Sequence, residues 1–404
     1  MQTVASCVAP FRAFLCALLL AMLAAHGPAV EVVRPWILPP LDGELAGEFT
    51  PLLLPGAPAL QWRITVRTAQ PRVRTIECTV EGPGLKLRGG AALDPRGEGT
   101  WNLAEAEIDL AQWFDWIAPQ LGSAAVGLKF SGTVTLRGAG TWREGVMGGR
   151  ADVTLRDGRL EDPAHKVLVE GLGGTATIED LRTGRTAAAQ VLTWRGGHYD
   201  VIPIGAGRVE FAFDGERLRV SDAVVSLLGG ELQSGSLVFS LTQPEFAVTA
   251  RIRGIDLAQV LFLLPPVLAM AQGRLDGHVA LRRDGAGFQI GVGQFSMRPG
   301  ESVDLRFAPT PGLLSSRLPD AIRKHYPGLT HLEMGGIPLR AELLDVTLTP
   351  TGDADGRTAT VHIIGGPIDP NLRAPVDLSI NVRGSLDSLV KFGSDSRLRF
   401  GGPR

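Results

Sequence analysis

Apolar and polar residues alternate along several short segments of this chain, and glycine-containing breaks separate the segments. The alternation has a period of two in residues 208–213, 237–241, 246–252, 303–307 and 376–382. A period of two is typical of a β-strand that buries one face. Tight turns between such strands make successive strands antiparallel neighbours. The predicted turns are Gly229-Gly230, Asp284-Gly285, Asp355-Gly356 and Gly365-Gly366.

The pentapeptide Ile-Asp-Leu-Ala-Gln occurs twice in the chain. The two copies span residues 108–112 and 255–259. Each copy precedes apolar residues, a proline and a predicted strand that begins with glycine, at 132–136 and 277–281 respectively. Asp109 and Asp256 are predicted helix N-caps, because an Asp side chain accepts hydrogen bonds from the free N–H groups of a first helical turn. The repeated unit is therefore several strands, a short apolar helix and more strands, which favours an elongated, repetitive architecture.

The predicted fold class is mainly β: an elongated, curved antiparallel sheet that forms a groove, with a few short helices. Near the N-terminus, Arg12 precedes an apolar run from 13 to 25 that is too short for an ordinary transmembrane helix and typical of a signal peptide. A cleaved signal and a retained anchor both remain open. The predicted divisions are 1–29, signal peptide or anchor; 30–60, proline-rich lead-in; 61–160, a first, degenerate β-groove repeat; and 161–404, the C-terminal β-groove region.

Composition narrows the possible functions. The 404 residues carry a formal net charge of −2, and no basic excess indicates nucleic-acid binding. Of the three cysteines, only Cys78 lies beyond the first 29 residues. A single thiol excludes an intrachain disulfide and a cysteine-based metal site from the remainder of the chain.

Catalytic signatures are missing from the sequence. There is no Gly-x-Ser-x-Gly, no His-Glu-x-x-His and no phosphate-binding Gly-x-x-x-x-Gly-Lys motif. Residues 353–356 begin like a calcium loop but lack its closing glutamate, so a hairpin turn is predicted there. Trp113 and Trp116 follow the first predicted cap, and both lipid contact and ordinary helix packing remain open for them. We therefore predict a protein that is not an enzyme, without catalytic residues, metal or cofactor.

A series of strand and turn motifs occupies the C-terminal half. The motifs are residues 211–215 with 222–223 and 228–230, then 254–257, 273–277, 361–366 and 375–382. In this order, over roughly residues 150–390, they resemble the YdbH-like family, whose domain is also catalogued as a dicarboxylate transport domain, within the AsmA-like superfamily. The first pentapeptide would mark an earlier, degenerate copy of the same unit.

The resemblance implies a long β-sheet, open along one side, with an apolar concave face that conducts phospholipid between the inner and outer membranes. It also implies a periplasmic position in a Gram-negative-type envelope, secreted or tethered to the inner membrane, and in some members a small outer-membrane lipoprotein as partner. The chain is shorter than typical members, which leaves open whether it spans the periplasm by itself.

Eight apolar residues are the candidates for lining the lipid groove. A one-residue slip would turn such residues to the other face of the sheet. One alternative is a structural envelope protein whose sheet closes on a dry core; another is a glycan-active enzyme, which would need clustered carboxylates that the sequence does not display. The candidates are Phe211, Phe213, Phe239, Val248, Leu281, Leu305, Leu378 and Ile380.

Overall fold

A computed structural model describes residues 42–383, apart from 52–55, 71–72, 122–124, 126, 145, 165, 201, 241–244, 262–267, 285–286, 313, 317 and 373–374. The predicted signal or anchor at 1–29, most of the lead-in and Gly285 of one predicted turn lie outside these residues. Strands account for most of the described chain, and 23 of them belong to one antiparallel sheet. The prediction of a mainly β, antiparallel fold with short helices is confirmed.

The N-terminal half contains eleven strands and one short helix among its described residues. The strands are β1 Gly43–Phe49, β2 Leu60–Gln70, β3 Val73–Gly82, β4 Leu85–Leu93, β5 Gly99–Asp109, β6 Lys129–Arg143, β7 Val146–Asp162, β8 Val167–Asp180, β9 Arg185–Thr186, β10 Gln190–Trp194 and β11 Gly196–Tyr199. Helix α1, Leu110–Ile117, continues into a 3₁₀ turn at Ala118–Leu121.

The C-terminal half continues with strands and three further helices in its described part. The strands are β12 Ile202–Phe213, β13 Arg217–Leu227, β14 Gly230–Ser234, β15 Leu237–Ser240, β16 Phe246–Asp256, β17 Leu268–Gln272, β18 Arg274–Asp284, β19 Gly287–Met297, β20 Val303–Phe307, β21 Leu339–Leu348, β22 Arg357–Pro367 and β23 Val376–Arg383. The helices are α2 Leu257–Val260, α3 Asp320–His325 and α4 Gly328–Glu333.

Two compact units share these elements. The first unit comprises residues 1–200, 205–223 and 236–244, and the second comprises 201–204, 224–235 and 245–404. In the first unit, each strand from β1 to β8 pairs with the next, and β8 also pairs with β9, β10 and β11. In the second unit, the pairing runs β14–β16–β18–β19–β21–β22–β23, and β20 joins β17 to β21. The boundary placed at 160/161 from the sequence lies inside β7.

The period-two segments form strands where they are described, as in β20, whose bounds match the predicted 303–307. One predicted turn is wrong: Gly365 and Gly366 lie inside β22 and pair with Ala341 and Arg340. A Cβ on Gly365 would lie 2.1 Å from the Arg340 carbonyl oxygen, so this glycine permits close approach of two strands. The turn at Asp355-Gly356 is confirmed, because the Asp353 carboxylate accepts bonds from the N–H groups of Asp355 and Arg357.

Both predicted N-caps are confirmed. Asp109 accepts a 2.9 Å bond from the N–H of Ala111 at the start of α1, and Asp256 accepts one of the same length from Ala258 at the start of α2. The alignment of the strands that follow is wrong by four residues. Thr133 pairs with Asp109 and Arg274 pairs with Asp256, so the second counterpart of 132–136 begins at 273, not 277. Sequence matching chose the wrong glycine because both 273 and 277 are glycines.

Candidate functional site

Strands β1–β8 of the first unit carry one face without a single charged residue in four adjoining cross-strand rows. Residues directly opposite each other on antiparallel strands point to the same side of the sheet. We call the side on which these rows lie the apolar face. The rows are Gly43–Val66–Ile76–Ala91–Trp101–Gly140–Gly149, Leu45–Ile64–Cys78–Gly89–Leu103–Gly138–Ala151–Ile178, Gly47–Trp62–Val80–Leu87–Ala106–Leu136–Val153–Ala176, and Gly82–Leu85–Ile108–Val134–Leu155–Gly174.

The opposite side of the same strands is polar. Ion pairs lie along it, with Arg63 3.0 Å from Glu44 and Arg137 3.0 Å from Glu105. Exposed pairs of this kind contribute at most about 1 kcal/mol each. Their significance is positional: across the four rows the charges lie on this opposite side, so this part of the sheet is amphipathic.

A hollow interrupts the apolar face where small residues meet. Its volume is ≈ 370 Å³. Gly89, Gly138 and Ala151 lie in a single row, with Leu103 between the two glycines, and contribute almost no side-chain volume. The hollow is lined by Ile76, Cys78, Leu87, Gly89, Gly90, Ala91, Trp101, Asn102, Leu103, Leu136, Gly138, Met147, Ala151, Ile178 and Leu181. All but Asn102 present apolar or thiol groups, so the hollow suits a hydrocarbon ligand.

Local packing requires glycine at the floor of the hollow. A Cβ on Gly138 would lie 2.9 Å from the carbonyl oxygen of Arg150 and 3.2 Å from the Trp101 ring. The Trp101 indole is fixed across the sheet, because its Nε1 donates a 3.0 Å bond to the Gly148 carbonyl oxygen. A larger residue at 138 would therefore displace the wall of the hollow.

Helix α1 covers the apolar face next to the hollow. Leu110, Trp113, Phe114 and Ile117 of this helix are buried, and Phe114 meets Phe130 edge to face with ring centroids 5.6 Å apart. The Trp113 indole also donates a 2.7 Å bond to the Pro83 carbonyl oxygen. Helix packing therefore accounts for Trp113.

Beyond the helix, the walls of the hollow reach solvent. Ile76, Leu87, Leu103, Leu136 and Met147 are only partly buried. Apolar side chains at a concave, accessible surface are costly to leave in water and are typical of ligand or interaction sites. The hollow is thus an open apolar site rather than a sealed packing defect.

Cys78 contributes the thiol of the hollow. Burial raises the pKa of this thiol, so it stays protonated and is a weak nucleophile at neutral pH. A neutral thiol behaves as a small, polarisable apolar group. Its position makes Cys78 a natural reporter of ligand occupancy.

Three predicted groove residues belong to the first unit but lie away from the hollow. Phe211, Phe213 and Phe239 are 1%, 4% and 6% exposed. Phe211 lies opposite Gln190, and the Phe213 N–H donates to the Thr186 hydroxyl. The structure therefore places these rings in packed regions.

The other five predicted residues belong to the second unit. Val248 pairs with Leu281, and Ile380 pairs with Val361. Leu378 lies two residues before Ile380, on the same side of β23, and all four predicted residues are partly buried. Leu305 is 1% exposed, in a cluster that includes Leu329 and Leu332 of α4. Val248, Leu281, Leu378 and Ile380 thus retain partial access to solvent, whereas Leu305 is enclosed.

Sequence reasoning missed the lining of the hollow. It selected large apolar residues, whereas the hollow is formed by small ones. The run from Gly89 to Ala92 inside β4 was the available signal, since glycine within a strand marks a close approach or an unfilled space.

Two features are absent from the described part of residues 42–383. No helix there is both long and apolar enough to cross a membrane. Nor does the described chain bring together three or more His, Cys, Asp or Glu side chains that could hold a metal ion.

Comparison with known proteins identifies one family. The family model described as "YdbH-like: Intermembrane phospholipid transport protein YdbH" matches residues 43–314. The match includes every strand that lines the hollow and both copies of the pentapeptide; the motifs at 361–382 lie beyond it. No curated protein and no solved structure matches the chain significantly.

Proposed function

The chain belongs to the YdbH-like family, which implies intermembrane phospholipid transport, and on this basis we propose that the hollow holds an acyl chain of phospholipid in transit. The observation that carries the proposal is the hollow itself: an accessible apolar site of ≈ 370 Å³ on a face whose four rows contain no charge.

The energetics favour an acyl chain as the occupant. Each methylene group withdrawn from water is worth about 0.8 kcal/mol, so ten of them would contribute about 8 kcal/mol. A zwitterionic or anionic headgroup would stay in water, because burying its charges is costly. An open apolar face beside solvent meets both requirements for one lipid molecule.

Transport of this kind makes and breaks no covalent bond. The residues need only exclude water from the acyl chain and let the chain move between neighbouring apolar positions. The weak, non-directional character of apolar contacts suits such movement. We propose the same role for the partly exposed residues Val248, Leu281, Leu378 and Ile380 of the second unit.

The family places the protein in the cell envelope, consistent with the periplasm. We propose that it works beside the inner membrane, tethered there or secreted, and that a small outer-membrane lipoprotein is a partner. The apolar stretch at 13–25 supports a membrane-directed N-terminus.

Site-specific photocrosslinking in cells tests the proposed acyl site. Leu136 and Arg137 are neighbours on β6 that point to opposite sides of the sheet, so they form a matched pair. A photoreactive amino acid at 136 should crosslink phospholipid, detected by mass spectrometry, whereas the same group at 137 should not. Leu281 and Arg282 provide the corresponding pair on β18 in the second unit.

Equal labelling at 136 and 137, or lipid at neither, would contradict the proposal. Lipid at neither position, together with a well-folded protein that carries no co-purifying phospholipid, would instead favour a structural role. The described hollow argues against a sealed core at this place, because its walls are accessible.

A further inference from the structure

One arginine lies on the apolar face at the margin of the hollow. Arg74 precedes the lining residue Ile76 by two positions on β3, so both side chains point to the same side of the strand. Arg74 pairs with Thr68 on β2 and with Leu93 on β4. It thus belongs to the row next to the uncharged rows defined above.

The rest of this marginal row is mostly apolar and leads back to the hollow. Leu93 pairs with Gly99, which pairs with Trp142, which in turn pairs with the lining residue Met147. Arg74 is partly buried. An arginine in such a place packs its hydrocarbon stem along apolar surface. Arg74 already makes an interaction within the protein, and because a guanidinium carries several N–H donors, it retains donors for a ligand.

We infer that the Arg74 guanidinium binds the phosphate of a phospholipid whose acyl chain occupies the hollow. The inference rests on the proposed function and adds how the headgroup is held. A guanidinium presents N–H donors in a planar fork that matches two phosphate oxygens, and such charge-assisted pairs are among the stronger hydrogen bonds. The change from uncharged rows to a cationic row matches the change from acyl chain to phosphate along the lipid.

An acidic neighbour shares this margin. Asp42 accepts 2.7 Å bonds from both the N–H and the hydroxyl of Thr68, the strand partner of Arg74. Its negative charge at this end of the face opposes an incoming phosphate. Removing that charge with Asp42→Asn should therefore strengthen phospholipid binding, in the opposite direction to the loss of Arg74.

Lipid binding can be followed on the full chain by the alkylation rate of Cys78, measured on its own peptide by mass spectrometry. The probes are a short-chain phosphatidylglycerol, a diacylglycerol with the same acyl chains, and inorganic phosphate. Phosphatidylglycerol should protect Cys78 at about tenfold lower concentration than diacylglycerol, the effect of roughly one charge-assisted contact. Inorganic phosphate alone should give no protection, since it has no acyl chain.

Arg74→Gln should abolish the tenfold preference and leave protection by diacylglycerol unchanged. Arg74→Lys should retain part of the preference, because a lysine keeps the charge but not the planar fork. Arg67→Gln is the matched control: Arg67 is exposed on the neighbouring strand β2, opposite Thr75, and so points to the other side of the sheet.

The outcomes separate the two proposals. A preference that survives in Arg74→Gln, or that Arg67→Gln abolishes equally, overturns the role of Arg74 and leaves the acyl site intact. Protection by inorganic phosphate alone overturns a lipid headgroup as the ligand. A wild-type protein protected by neither lipid overturns the proposed function and with it this inference. If Arg74→Gln fails to fold, Arg74→Lys and Asp42→Asn provide the test. The inference is contradicted if neither of these two variants changes the preference for phosphatidylglycerol over diacylglycerol.

Discussion

The two copies of the repeated pentapeptide begin helices in the same way, but the strands beside them carry different side chains. Thr133 and Arg274 both pair with a cap aspartate, so β6 and β18 can be aligned from these residues. In this alignment Gly138 and Gly140 of the first copy correspond to Val279 and Leu281 of the second. The same strand pairing therefore leaves a hollow in the first copy, whereas in the second copy side chains occupy the equivalent positions.

The two copies also differ in what covers their apolar side chains. In the first, α1 spans Leu110–Ile117 and buries Phe114 against Phe130. In the second, α2 spans Leu257–Val260, and the position equivalent to Phe114 is Leu261, which is partly buried. Side-chain volume, not strand pairing, therefore decides where an apolar face is open.

The largest expected effect on stability comes from disrupting the packing of helix α1 on the sheet in the first copy. Phe114→Ala should lower the free energy of unfolding by about 3–5 kcal/mol, because it removes a fully buried ring from the helix–sheet contact. Leu261→Ala should cost less, about 2 kcal/mol, since Leu261 is only partly buried. Denaturant-induced unfolding followed by circular dichroism measures both. Equal losses would show that the two helices cover their strands equally.

A smaller effect on stability is expected at Glu333, in helix α4 of the second unit. Glu333 of α4 is 3% exposed and accepts bonds from the Ser315 hydroxyl at 2.8 Å and from the N–H groups of Ser315 and Leu314 at 3.1 Å. Burial raises the pKa of Glu333, but the bonds from Ser315 and Leu314 outweigh it and hold the pKa below its usual range. Glu333→Gln should cost about 1–3 kcal/mol, because an amide cannot accept all these bonds.

The lowered pKa of Glu333 also makes the free energy of unfolding depend on pH. A carboxyl whose pKa is lower in the folded state contributes stability that is fully present above its unfolded pKa, about 4.3. That stability is lost as the pH falls through the folded value. The free energy of unfolding of Glu333→Gln should therefore fall less steeply than that of the wild type as the pH drops below about 4.3. Parallel curves for the two proteins would contradict this account.

The smallest expected effect tests the feature that the two copies share. Asp109→Ala and Asp256→Ala should each cost about 1 kcal/mol through loss of the cap. Asp109→Ala should cost slightly more, because Asp109 also accepts a 2.8 Å bond from the Gln112 amide. Thermal unfolding of the two variants and of Asp109→Asn, which retains an acceptor, measures the difference. If only one of the two alanine substitutions lowered stability, the two helix starts would not be structurally equivalent.

Local pattern predicted much of the fold. The alternation at 303–307 located β20, and the cap aspartates located the starts of α1 and α2, because these features depend on residues close in sequence. Gly365-Gly366 was misread as a turn, since a glycine that permits strand contact has the same local sequence as one that permits a turn. The hollow was missed because its lining comes from β3 to β8 and from Leu181, and its floor is defined by missing side chains.

The sequence by itself determined that the chain is mainly β, that two helices begin at Asp109 and Asp256, and that the motifs resemble one lipid-transport family. Periodicity and capping are properties of neighbouring residues, so they can be read without the fold. Only the tertiary structure decided which small residues share a row, that the rows of β1–β8 form one uncharged face, and that Arg74 lies at its margin. Strand register sets these relations, and register joins residues that are distant in sequence.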